Sequence, residues 1–203
     1  YREIDAIYNK DSFVLSFNDG IFDPHFKTGT IANDQKFLEN LIVFSLIMEG
    51  IFFYSSFAVM FSFQRRNKLV GAAQQIQYIM RDESQHLNFG IYMINQIKEE
   101  QPELWTPEFQ KHAIDLVRRG VTLEYTFAQT VFPKGLLGIN SDGFKQYIEH
   151  IADRRLARIG LPPQWNVENP FPWMSEAIDL RKEQNFFETR VTEYQTGGSL
   201  NWD

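Results

Sequence analysis

The sequence predicts an all-α fold, a bundle of long antiparallel helices followed by an extended C-terminal tail. Three observations carry this reading. Apolar residues recur at i, i+3 and i+4 through several long segments, with no strand-rich region. Pairs of start and stop signals frame those segments. The run Leu41–Phe63 is strongly apolar with a single acidic or basic residue, Glu49, as a helix buried on every side would be.

The elements follow in chain order. Ile4, Ile7 and Tyr8 fall at helical spacing, so the chain opens in the end of a helix reaching about Lys10. Asp19-Gly20 and Asp23-Pro24 then punctuate an irregular stretch to about Ile31. Asn33 or Asp34 caps the next helix, which runs to about Arg66 and breaks at Asn67. A second long helix spans about Lys68 to Glu100, with Ile76, Ile79, Glu83, His86, Phe89 and Gly90 mostly on one face, and ends at Gln101-Pro102. Thr106 caps a third helix with Pro107 in its first position, running to about Val131 and stopping at Phe132-Pro133. A fourth covers about Ser141 to Ile159 and closes on Gly160. Pro162-Pro163 leads into an irregular segment through Asn169–Ser175, and Lys182–Asp203 reads as a mobile tail.

Composition bounds the function. The chain has 203 residues, 43% hydrophobic and 23% charged. That is a globular balance, sufficient for one domain. Residues 1–180 read as the bundle and 181–203 as the tail. Phe is abundant at 19, so the core is aromatic. A net charge of −6 without a basic stretch leaves no electrostatic footprint for nucleic acid. The absence of cysteine excludes disulfides, thiolate zinc sites and a cysteine nucleophile, and fits a cytoplasmic setting. The chain starts at Tyr1, inside helical sequence and without a secretory signal, as a piece of something longer would. Leu41–Phe63, followed by Arg65, Arg66 and Lys68, has the length and flanks of a membrane span. Glu49 near its middle argues against one, at a cost of about 2.5 kcal/mol or more.

The chemistry centres on Arg81-Asp82-Glu83-Ser84-Gln85-His86. Glu83 and His86 stand three apart, on one helix face and one turn from each other, so carboxylate and imidazole can grip one metal ion. The plainer reading is an exposed pair on an amphipathic helix. Glu49, one helix earlier, needs a partner, a proton or a metal in so apolar a run. A lone Glu on one helix and a Glu-x-x-His on the next make half of the ligand set of dimetal carboxylate bundles. Carboxylate and imidazole without thiolate suit iron or manganese. Asp82 lies about 100° around the helix from Glu83; it either orients a ligating histidine from behind or pairs with Arg81. Phe53, Phe57, Ile76 and Ile79 fall about one turn from Glu49 or Glu83 and make either a dry pocket around a reactive centre or ordinary core. Tyr194 stands in a polar tail with little core to fill.

Five segments together resemble the small, radical-generating subunit of class I ribonucleotide reductase. They are Met48–Tyr54, Arg81–Gly90, Ala152–Leu156, Asn169–Met174 and Phe186–Tyr194, in family order. The tail ending Leu200-Asn201-Trp202 is most similar to the chlamydial-type branch, whose centre holds manganese and iron. The resemblance implies a ferritin-like bundle with a dinuclear Fe/Fe or Mn/Fe centre. Glu49 and His86 would be terminal ligands of the second metal position and Glu83 a bridge. Asp82 would lie on the transfer path, and Phe53, Phe57, Ile76 and Ile79 would surround the oxidant. Glu188 and Tyr194 would relay the radical, and Leu200 and Trp202 would anchor the tail on the large catalytic subunit. A homodimer of small subunits is implied, with no nucleic-acid or membrane partner. The family's N-terminal half, with the remaining ligands, is not in this sequence, so that half is an implied partner. Another dimetal oxidase or oxygenase would share the metal residues but need no docking tail.

Overall fold

The computed structural model describes residues 3–18, 23–136 and 138–174. Among them every regular element is a helix: α1 (Asp5–Asn18), α2 (Ile31–Leu41), a π-helical segment (Ile42–Phe52), α3 (Phe53–Gln64), α4 (Val70–Glu100), a 3₁₀ turn (Pro102–Leu104), α5 (Pro107–Val131) and α6 (Ser141–Arg158). The all-α reading is therefore matched. The tail and the end of the expected bundle lie outside the described residues.

Local chemistry sets the boundaries. Thr30, not Asn33 or Asp34, caps α2, as a side-chain oxygen facing the first turn can. Its hydroxyl accepts from the Asn33 N–H at 3.3 Å. The Asp34 carboxylate turns back to the Gly29 N–H at 2.8 Å. Asn67 ends α3 as expected. It is left-handed, with φ 54°. The Lys68 N–H reaches back to the Phe63 carbonyl at 3.0 Å, closing the helix as a left-handed residue commonly does. Thr106 caps α5 through the Phe109 N–H, with Pro107 in the first position. Asn140 caps α6 through Gly143 at 2.6 Å, and Gly160 beyond it is left-handed at φ 76°.

Two helical expectations change. The first helix runs to Asn18, well past Lys10, because Phe13 continues its buried stripe against Phe17 and the Arg119 guanidinium. The helix expected from Asn33 or Asp34 to Arg66 is not uniformly α. Between Ile42 and Phe52 its hydrogen bonds follow the π pattern, which widens the turn and shifts the direction of every side chain after it.

That π segment is the axis of the molecule. It packs on α1, α2, α4, α5 and α6, and Ile42, Leu46, Ile47 and Ile51 are wholly buried. The 34-residue helical stretch Ile31–Gln64 is long and apolar enough to cross a membrane, yet 67% of its most apolar window is buried inside the protein, as in a core helix. Close approach to α4 depends on glycine. A Cβ on Gly90 would stand 2.0 Å from Ser45 Oγ.

Two of the motifs prove to hold the end of the bundle. Asp153, buried on α6, accepts the backbone N–H groups of Gln164 (2.6 Å), Trp165 (3.2 Å) and Asn166 (2.7 Å), pinning the loop after α6. Phe171 packs on Tyr147 and stacks on Trp173, which in turn lies beneath the Arg65 guanidinium at 5.0 Å.

Candidate metal centre

Glu49 comes from the π segment and Glu83 and His86 from α4. One donor atom from each lies within 4.8 Å of the other two. The α4 pair follows from helix geometry, since side chains three apart are neighbours. His86 Nδ1 and Glu83 Oε2 stand 3.3 Å apart. Glu49 reaches them because the π segment crosses α4 at the Ser45–Gly90 contact.

The electrostatics are those of a cation site. Burial raises the Glu49 carboxyl above its ordinary range and the neighbouring Glu83 raises it further, with His86 opposing. Two carboxylates brought together in a half-buried place repel unless a proton or a cation stands between them. Two carboxylates and an imidazole are the oxygen and nitrogen donors that iron and manganese take. The residues present thus fit a metal, supplying three ligands.

The site opens outward. A groove of about 490 Å³ runs beside it, lined by Phe37, Leu41, Ser45, Glu49, His86, Phe89, Gly90 and Met93. His86 is 61% exposed, whereas Glu83 is 16% exposed. The four residues expected to make a dry pocket do not line this groove. Phe57 is buried, Phe53 and Ile76 are half-buried, and Ile79 is exposed. Among the described residues no helix covers the outer face of α4, where Ile79, Phe89 and Tyr92 are exposed. Asp82 is exposed on the same helix. Glu188, Tyr194, Leu200 and Trp202 lie outside the described residues.

A buried acid escaped the sequence reading. Glu124 of α5, 1% exposed, receives the Ser55 hydroxyl and the Lys10 ammonium. Lys10 is itself sandwiched 4.4 Å from both the Phe52 and Phe127 rings, where the ring faces attract its charge. The available signal was position: Glu124 falls on the apolar stripe Val117, Val121 and Ala128. Arg155, buried on α6, lies within the Ala152–Leu156 segment.

Comparison with known proteins identifies the family of the chain. The family model described as "Ribonucleotide reductase, small chain" matches residues 1–170. The chain is 52% identical over 202 residues to the ribonucleoside-diphosphate reductase subunit beta of Chlamydia pneumoniae, covering all of this chain and 58% of that protein. It is 36% identical over 168 residues to the small subunit of Plasmodium falciparum, covering 83% and 50% of the two chains. Among solved structures, the R2 subunit from Clostridium botulinum superposes with a TM-score of 0.78 at 27% identity, over 87% of this chain and 54% of that one. A putative class I ribonucleotide reductase from Bacillus halodurans gives 0.77 at 26%, over 85% and 60%. The chain thus spans little more than half the length of these relatives.

Proposed function

Because this chain belongs to the small-chain family of ribonucleotide reductase, we propose that it forms part of the subunit that generates and stores the oxidising equivalent for ribonucleotide reduction. The observation that carries the proposal is the convergence of Glu49, Glu83 and His86 within 4.8 Å, at the positions that resemble the family's second metal site.

Each residue then has a task. His86, Glu49 and Glu83 would together hold metal in a dinuclear Fe/Fe or Mn/Fe centre. When bound, the metal pair supplies dioxygen activation and retention of one oxidising equivalent. The remaining ligands come from family sequence outside these 203 residues, in the same polypeptide or in a second one that associates with it. The uncovered outer face of α4, with Ile79, Phe89 and Tyr92 exposed, supports that assembly. Once it is covered, Phe53, Phe57, Ile76 and Ile79 can shield the centre from water. Asp82 lies on the path of the electron and proton.

In the tail, Tyr194 relays the oxidising equivalent with help from Glu188, and Leu200 and Trp202 dock on a large catalytic subunit that binds the ribonucleotide. Small subunits pair as a homodimer in the cytoplasm. Elemental analysis of the native protein tests the metal assignment. Glu83→Ala should remove tight binding at this position, and undiminished metal stoichiometry would refute it.

A further inference from the structure

Next to the turns that carry the ligands lies a buried cation that the proposed chemistry does not use. Arg155 of α6 is 7% exposed and makes no ion pair among the described residues. Its neighbour Asp153 is spent on the backbone of the loop after α6. A buried guanidinium without a carboxylate needs other anchors. Two of its contacts among the described residues each adjoin a ligand.

The first is the carbonyl of Gly50, the residue after Glu49, to which Arg155 Nε donates at 3.1 Å. Only glycine admits this approach freely, since a Cβ there would stand 3.2 Å from Nε and 3.1 Å from Leu87 Cδ1. The second is the ring of Tyr54, 4.6 Å beneath the guanidinium, a distance at which the ring face attracts the cation. The Tyr54 hydroxyl lies 2.6 Å from Ser84 Oγ, and Ser84 follows Glu83. Ser84 donates to the Met80 carbonyl at 2.7 Å. A hydroxyl has one proton to give, so Tyr54 is the donor to Ser84.

We infer that Arg155 is a positioning residue for the metal ligands: through Gly50 it fixes the π-helical turn carrying Glu49, and through Tyr54 and Ser84 it ties that turn to the α4 turn carrying Glu83. A π segment is intrinsically less favourable than an α-helix. Moving its irregularity by one residue turns the following side chain by about 100°, enough to swing Glu49 off the other two donors. A side-chain donor on a carbonyl inside the segment holds the register where it is. Three elements then set one ligand geometry, with α6 contributing no ligand itself.

This inference rests on the metal reading, and the test separates the two. Mn²⁺ titration of the native protein, followed by electron paramagnetic resonance of free and bound ion, gives affinity and the coupling from the His86 nitrogen. Arg155→Met, close in volume but without donor or charge, should weaken Mn²⁺ binding at least tenfold and alter the bound-ion spectrum while helical content by circular dichroism is kept. Arg155→Lys, which restores a donor and the charge, should recover part of the loss. Wild-type affinity and spectrum in Arg155→Met would overturn the inference and leave the metal site standing. So would a lysine variant no better than methionine. Should the methionine variant not fold, Tyr54→Phe decides: it keeps the ring under Arg155 and removes only the link to Ser84. It should weaken Mn²⁺ binding by about threefold or more, and unchanged affinity overturns the inference. A wild-type protein that binds no Mn²⁺ would remove the metal reading and this inference with it.

Discussion

Glu49, half-buried, and Glu124, buried, show how two carboxylates on neighbouring helices take different roles. Glu49 meets another acid and a histidine, an arrangement that lacks a positive charge. Glu124 meets Lys10 and Ser55, an arrangement that already has one. The first can hold a cation and the second is a structural pair. Glu49 was legible from sequence because its apolar run is unbroken on both sides. Glu124 was not, because polar residues surround it in sequence and only its helical register buries it. The structural pair carries a pH signature. Burial raises the Glu124 carboxyl above its ordinary value of 4.5, and Lys10 and Ser55 pull it only partly back. The folded protein therefore keeps a proton that the unfolded chain has released. This group makes stability fall as pH rises from about 4.5 towards the raised value, with no further change above it. Urea midpoints of Glu124→Gln across that window should show a shallower decline than wild type; parallel slopes would contradict the assignment.

Among the elements, those defined by local chemistry were legible. The α5 cap, its first-turn proline and the ends of α4 and α6 are written in short stretches of sequence. The π segment was not. In a run as uniformly apolar as Ile42–Phe52 no periodicity distinguishes one hydrogen-bond register from another. The choice is made by partners far along the chain: Gly90, Gly120 and Arg155. The first of these is testable. In Gly90→Ala the new Cβ meets Ser45 Oγ at 2.0 Å and Cβ at 2.4 Å, and so short a side chain cannot rotate clear of both. Overpacking of this kind costs about 1–3 kcal/mol, against roughly 1 kcal/mol regained from helix propensity. A lowered melting temperature and weakened metal binding are expected together, since the same contact brings Glu49 to α4. A variant as stable as wild type would show that the two helices do not approach this closely.

For the whole molecule, the fold class and the three converging donors followed from the sequence, while the closure of the site did not. Ile79 and Phe89 sit at positions that read as core, and both are exposed because no helix covers the outer face of α4 among the described residues. A sequence pattern reports the complete assembly for which its residues are suited, and among the described residues this face of α4 stays exposed. The tail belongs to this scale too. Tyr194→Phe should leave metal content intact and stop turnover with the large subunit, and normal deoxyribonucleotide output would remove its relay role. Loss of Leu200 and Trp202 should weaken binding to the large subunit, and an unchanged dissociation constant would contradict docking by the tail. The most direct measurement of all is anomalous diffraction at the manganese edge from crystals of the native protein loaded with Mn²⁺. A peak bonded by Glu49, Glu83 and His86 is the predicted result; bound manganese elsewhere, with these three side chains facing solvent apart from one another, would contradict it.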